Sequence, residues 1–194
     1  MTLAASRFRA SLVLAVRNEA PLTLRCLTTL ARLPDDGSFE AIVVDNASVD
    51  ETESLLTSVE GDFRAIRNDV DRGYGPACDQ AAAIADGEHL VFLREDAVPV
   101  DGWLDLLLDA LDADPAVGAA LPRVVDGSGG NVTGEWIALA VRRDVFTAVG
   151  GFAGAQRPGR AEKATLLEAI ERAGQDVVAV SHALVLALPD AVVG

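Results

Sequence analysis

His89-Leu90-Val91-Phe92-Leu93-Arg94-Glu95-Asp96 is an apolar run that stops at two adjacent carboxylates, and Ala97-Val98-Pro99-Val100-Asp101-Gly102-Trp103-Leu104 then leads into a helical pattern. A short run that is apolar at nearly every position reads as a strand buried on both faces, as in a parallel sheet. Such a strand delivers its terminal acids to the carboxyl edge of the sheet, where open α/β sheets bind their ligands. Glu95 and Asp96 there suit a hard divalent cation, since Mg²⁺ relies on only one or two protein carboxylates and takes phosphate oxygens for the rest. Read alone, they suit equally well the solvated acids of an ordinary turn.

Upstream, the same strand-then-helix unit recurs. Ser11-Leu12-Val13-Leu14-Ala15-Val16 is a strand ended by Arg17-Asn18-Glu19 and Pro21, and Leu22 to Leu33 carries leucines and Cys26 at helical spacing. Phe39 to Val44 repeats the strand signal and runs into Asp45-Asn46-Ala47-Ser48, where Ser48 and Glu51 have capping-box spacing for a helix from about Asp50 to Val59. Arg64 to Arg67 is a third short strand, and an alanine-rich helix is expected from Pro76 to Asp86. Downstream, Leu104, Leu107, Leu108 and Leu111 share a helix face until Asp114-Pro115, and Val117 to Leu121 is a further strand. Asp126 to Gly134 reads as a surface loop, Trp136 to Val141 as a strand, Arg143 to Val149 as a helix and Phe152 to Gly159 as a loop. A helix over Ala161 to Ala173 and a strand within Val177 to Leu188 complete the chain. The alternation predicts a mostly parallel sheet with helices on both faces and right-handed crossovers.

Composition narrows the function. The 194 residues, half of them apolar, are expected to form a single domain spanning 1–194. A net charge of −14 argues against nucleic acid or an anionic membrane surface as partner, because both need clustered Lys and Arg. Cys26 and Cys78 fall within helical, apolar patterns and read as reduced, buried thiols. No apolar run reaches the roughly 18 residues of a membrane span, and Met1 to Ala10 lacks the core of a signal peptide, so a soluble, cytoplasmic protein is expected.

Taken in series, Arg17-Asn18-Glu19 after the first strand, Ile42-Val43-Val44-Asp45-Asn46-Ala47-Ser48-Val49-Asp50-Glu51-Thr52, Asp71-Arg72-Gly73-Tyr74-Gly75, and Phe92-Leu93-Arg94-Glu95-Asp96 with Gly102-Trp103-Leu104 resemble the GT-A glycosyltransferases of family 2. The resemblance continues through Ala140-Val141-Arg142-Arg143-Asp144-Val145-Phe146 and Gly150-Gly151-Phe152. It implies an α/β fold of the GT-A type, and a nucleotide-sugar donor whose sugar passes to a hydroxyl acceptor with inversion at the anomeric carbon. Asp45 matches the acid that contacts base or ribose, and the backbone of Ala15 to Glu19 the wall of the base pocket. Together with Arg17, Asn46, Arg72, Gly73 and Arg94 these are the expected nucleotide-binding residues. Asp96, with Glu95, would hold Mn²⁺ or Mg²⁺ against the diphosphate and neutralise charge on the leaving group.

Three departures fall where the chemistry is expected. Arg94 stands at the first position of the acidic metal motif, where it could counter diphosphate charge itself or form a plain ion pair with Glu95. The Glu-Asp pair that supplies the base aligns with Glu162 and Lys163, and a protonated lysine cannot take a proton from the acceptor. The two side chains leave a helix about 100° apart, so Glu162 takes the missing acid's place only with a shift of the loop before it or a register moved by one, and on those terms it is the surviving candidate for base or acceptor orientation. Where some members place a histidine at the end of the final strand, Ala187 is the nearest match, and His182 reads as a strand residue. These departures support an alternative: a GT-A relative that binds a nucleotide or a protein partner without turnover. A nucleotidyltransferase of related fold is the weaker third reading, for no glycine-rich loop with a lysine follows the first strand.

Overall fold

The structure, a computed structural model, describes residues 7–32, 38–58, 63–126, 128–132, 137–155 and 162–187, the side chains of Glu162 and Lys163 excepted. The first half is β1 (Phe8–Val16), α1 (Ala20–Leu30), β2 (Phe39–Asn46), α2 (Thr52–Ser58), β3 (Phe63–Asn68), α3 (Tyr74–Ala82) and β4 (Gly87–Leu93). The second is β5 (Ala97–Pro99), α4 (Trp103–Ala113), β6 (Val117–Val125), β7 (Ala138–Arg142), α5 (Arg143–Ala148), α6 (Gly151–Ala155), α7 (Glu162–Arg172) and β8 (Asp176–Ala187). They build one eight-stranded sheet in the order β3-β2-β1-β4-β7-β6-β8-β5. Strands β1 to β4 are mutually parallel where they pair, β8 runs parallel to β6, and β7 and β5 are antiparallel to their neighbours.

Alternation along β1 explains why the sheet needs cover on both sides. Leu12, Leu14 and Val16 join Cys26, Leu27, Leu30, Trp103, Leu107, Leu108 and Leu111 in one core, beneath α1 and α4. Val13 and Ala15 face the other way, into a second core with Ile42, Val44, Cys78, Phe92, Phe146, Phe152, Leu166 and Ile170. Phe92 lies 5.1 Å from Phe146 and 5.2 Å from Phe152, centroid to centroid, so α5 and α6 are seated on β4 by aromatic contacts. Both cysteines are free thiols and buried, as their apolar surroundings suggested. Among the described residues no helix is long and apolar enough to cross a membrane.

Three elements differ from the expectation. Ala97–Pro99 is a strand, though it reads as loop: three residues carry no periodic signal, and only the pairing of Ala97 with Ala187 and of Pro99 with Val185 makes β5. The stretch expected to be a loop from Phe152 opens with α6, whose first N–H groups are bound from a distance. Asp79 on α3 accepts the Phe152 N–H and the Ala153 N–H, each at 2.9 Å. Gly151 is required beside it, with φ +66° and with any Cβ placed 2.5 Å from Asp79 Oδ1. The Ser48 capping box also gives way, for Asp50 Oδ1 accepts the Thr52 N–H while the Ser48 hydroxyl turns to the neighbouring loop. Trp136, expected to open a strand, lies outside the described residues, and β7 begins at Ala138.

Gly87 sets how closely β4 approaches β1. A Cβ there would stand 2.4 Å from the backbone of Ala10 and Ser11, and the Gly87 N–H donates to Ser11 Oγ at 2.8 Å. Gly87→Ala is expected to destabilise the fold by about 1–3 kcal/mol through overpacking against backbone that cannot retreat. Chemical denaturation measures this, and an unchanged midpoint would show that the strands can part without cost.

Candidate active site

Parallel register gathers the site. Val16 pairs with Asp45 and Asp45 with Arg67, while Leu14 pairs with Leu93, so the loops after β1, β2, β3 and β4 all leave from one edge of the sheet. Because β2 and β3 lie to one side of β1 and β4 to the other, the strand order reverses between β1 and β4, the switch point at which such sheets hold ligands.

The first two loops are laced to each other. Asn18 and Glu19 after β1 and Ala47 after β2 all take left-handed backbone, at φ 59°, 60° and 66°. Such geometry costs an L-residue about 1–2 kcal/mol and persists only where surrounding bonds demand it. Those bonds are present. The Asn18 N–H donates to Ser48 Oγ at 2.8 Å, Val49 N–H to Asn18 Oδ1 at 2.9 Å, Thr52 Oγ1 to Asn18 O at 3.2 Å and Ala20 N–H to Asp50 Oδ2 at 3.0 Å.

Asp45, at the end of β2, is 2% exposed and has both oxygens engaged. Oδ1 accepts the Ser48 N–H at 2.9 Å, and Oδ2 is ion-paired with Arg67 at the end of β3. Arg67 reaches further, to Ser48 O at 3.2 Å and Glu53 at 3.3 Å. The expected role of Asp45, a direct acceptor for base or ribose, would fall to the second lone pair of either oxygen on a side chain that is already held by protein. As described, Asp45 braces the pocket wall, and Arg67 is the half-exposed group beside it. Arg67 went unnoticed in the sequence because a lone arginine in a short strand signals nothing until the register sets it opposite Asp45.

Asn46 ties in the third loop. Its amide nitrogen donates to Asp71 Oδ1 at 2.6 Å and to Gly73 O at 3.3 Å, and its carbonyl oxygen accepts the Arg72 N–H and an Asn68 amide N–H, each at 3.1 Å. Arg17 closes the ring with an ion pair to Asp71 at 3.0 Å. Ala15, Arg17, Glu19, Asp45, Asn46, Arg72 and Gly73 are thus brought to one edge, as expected, by a buried polar network.

On the β4 side of the switch point the structure differs from the simplest expectation. Arg94 pairs with Asp96: Nε donates to Oδ1 at 3.0 Å and Nη2 to Oδ2 at 2.8 Å, a two-pronged pair on a carboxylate only 4% exposed. The turn is pinned by the Arg94 N–H on Ile137 O at 2.9 Å and the Ala97 N–H on Arg94 O at 3.1 Å. Beneath it, Cys26 Sγ donates to Arg94 O at 3.9 Å, and burial first, with Glu95 and Asp96 adding to it, pushes the thiol up to about 12. Ala187 lies alongside through its pairing with Ala97, and His182 is an exposed strand residue. α7 ends just before β8 begins at the amino edge, so its first residues, Glu162 and Lys163, stand toward the carboxyl edge; their side chains lie outside the described residues.

The model of glycosyl transferase family 2 matches residues 11–157, and the chain belongs to that family. It is 30% identical over 151 residues to polypeptide N-acetylgalactosaminyltransferase 5 of Caenorhabditis elegans, covering 74% of this chain but 23% of that protein. In three dimensions it is similar to the mannosyltransferase PcManGT from Pyrobaculum calidifontis, solved in complex with GDP-Man and Mn²⁺, with TM-score 0.76 at 23% identity over 95% of this chain and 58% of that one. It is similar also to S. aureus TarS 1–349 in complex with UDP, with TM-score 0.75 at 15% identity over 94% of this chain and 61% of that one. The fold is therefore GT-A, and the chain spans about a quarter of the curated relative and about three fifths of these structures.

Two measurements probe the network. Asp45→Asn and Arg67→Ala should couple by about 1–3 kcal/mol in a double-mutant cycle, and additive effects would show that the pair contributes nothing. Asp50 has its carboxyl held below the ordinary value: burial opposes ionisation, but bonds from the Thr52 hydroxyl and from the N–H groups of Ala20 and Thr52 outweigh it. A depressed folded-state value means that this stabilisation is present above the unfolded-state pKa of about 3.9 and is lost as pH falls through the folded one. The stability gap between wild type and Asp50→Ala should accordingly narrow below about pH 4, and a gap independent of pH would remove the ionised carboxylate from the account.

Proposed function

We propose that the chain is the donor-binding part of a glycosyltransferase that moves a sugar from a nucleoside diphosphate onto a hydroxyl acceptor, with inversion at the anomeric carbon. The observation that carries this reading is the switch point between β1 and β4, flanked on one side by the interlaced Asn18, Asp45, Asn46 and Asp71 loops and on the other by Arg94 and Asp96. A nucleoside fits the polar wall, where Arg67, Arg17 and the loop backbone offer hydrogen bonds, and its diphosphate then reaches toward Arg94. The ligands named for the structural neighbours, GDP-Man and UDP, support a donor of this class.

Transfer needs a proton removed from the acceptor hydroxyl and charge balanced on the departing diphosphate. Glu162, near the carboxyl edge, is the residue we assign to the first task, with Lys163 as the reason for slow turnover. The Mn²⁺ or Mg²⁺ expected at Glu95 and Asp96 draws support from the Mn²⁺ bound by the mannosyltransferase. The donor set does not fit a chelated cation as it stands, for both Asp96 oxygens hold Arg94. No step is therefore assigned to a metal. The second reading, a binding protein without turnover, is favoured by Lys163 at the expected base position.

Calorimetry against a panel of nucleoside diphosphates, followed by assay of nucleotide release from matching sugar donors, tests both readings. Lys163→Asp should raise the rate by about 10–10² if the base was lost at that position, and Glu162→Gln should abolish it if Glu162 serves. Nucleotide bound with no turnover in any variant would leave the binding-only reading standing, and no nucleotide bound at all would sink both.

A further inference from the structure

We infer that the Arg94–Asp96 pair takes the place of a divalent cation, so that this chain binds nucleoside diphosphate without a metal. The inference rests on the donor-binding reading above and concerns how the same edge of the sheet meets the diphosphate.

The argument begins with what a metal would need. Mg²⁺ demands near-ideal octahedral oxygens at about 2.0–2.1 Å and is usually held by one or two carboxylates together with phosphate. Asp96 is the buried acid at the end of the strand that delivers it, yet each of its oxygens already accepts an Arg94 N–H, at 3.0 and 2.8 Å. The planar fork occupies the carboxylate's own plane, where a cation would approach. A cation chelated by both oxygens could enter only by expelling the guanidinium from a carboxylate that is 4% exposed, and the displaced positive charge would then stand beside a dication.

Ala187, paired with Ala97 next to the acid, presents a methyl group, and Glu95, the neighbouring carboxylate of the same turn, is the group a cation would have to use in place of Asp96. The backbone that carries the pair is fixed from three directions, by Ile137 O, by the Ala97 N–H and by the β5–β8 pairing. Arg94 is therefore held in one orientation by the acid that a metal would otherwise use.

That arrangement supplies the metal's electrostatic service by other means. A guanidinium presents its N–H donors in a rigid fork whose geometry suits phosphate oxygens as it suits the Asp96 carboxylate, which accepts from Nε and Nη2. With side-chain exposure of 26% against 6% for Asp96, Arg94 is the member of the pair that faces outward. Asp96 becomes a positioning residue, orienting the charge that the diphosphate meets.

The test uses GDP and UDP as probes and calorimetry with purified protein in Mn²⁺ and, separately, in EDTA. The expected result is equal affinity of wild type in the two buffers, within about threefold, and no uptake of Mn²⁺ by the nucleotide-free protein in an electron paramagnetic resonance titration. Arg94→Asp should reverse both: affinity in EDTA falls by about tenfold or more, Mn²⁺ restores it, and the nucleotide-free protein takes up the ion. Arg94→Lys, which keeps the charge and loses the fork, should bind in EDTA more weakly than wild type and remain indifferent to Mn²⁺. Wild-type binding that appears only in Mn²⁺ would overturn the inference and leave the donor reading intact. Absence of GDP and UDP binding in either buffer would overturn both.

Discussion

A carboxylate buried at the end of a strand must be paired or it does not stay ionised, and Asp45 is in that position at the carboxyl end of β2. Its partners come from a loop and a strand, the Ser48 N–H one turn ahead and Arg67 on β3. Through them one acid holds together β2, β3 and the β2–α2 loop, and that loop in turn holds Asn18 after β1. Asn46, the next residue, does the same for the loop after β3. The edge of the sheet where ligands bind is thus built from side-chain amides, carboxylates and backbone groups that satisfy one another without water being required between them.

This construction explains why left-handed backbone is tolerated at Asn18, Glu19 and Ala47. The strain of each is small beside the hydrogen bonds that would be lost if the loops relaxed, so the bent conformations persist beside the switch point between β1 and β4. It also separates support from contact. Asp45 and Asn46 are buried and engaged with protein, whereas Arg17, Arg67 and Arg94 are part-exposed at the same edge. In a chain with net charge −14, each of these arginines is held at the edge by an acidic partner, Asp71, Asp45 and Asp96 in turn.

Family membership and the GT-A fold stand on most of the chain, with the family match running over residues 11–157. At the end of β4 Arg94 is paired with Asp96, and strand register brings the Ala187 methyl beside Ala97 at the same turn.

By itself the sequence determined the alternation of strands and helices, the carboxyl-edge position of Asp45 and Asp96 and the family resemblance, because hydrophobic periodicity and motif order are local properties of a chain. Only tertiary structure decided the rest. β5 exists because β8 lies beside it, and α6 because Asp79 of α3 supplies its first N–H groups with an acceptor. Arg67 meets Asp45 because strand register sets them opposite, and Arg94 turns to Asp96 because a pinned turn places fork and carboxylate face to face. Pairings between residues distant in the chain, and the rotamer an arginine adopts, leave no periodic trace in the sequence; they are fixed when buried charge and backbone polarity must find partners in the packed fold.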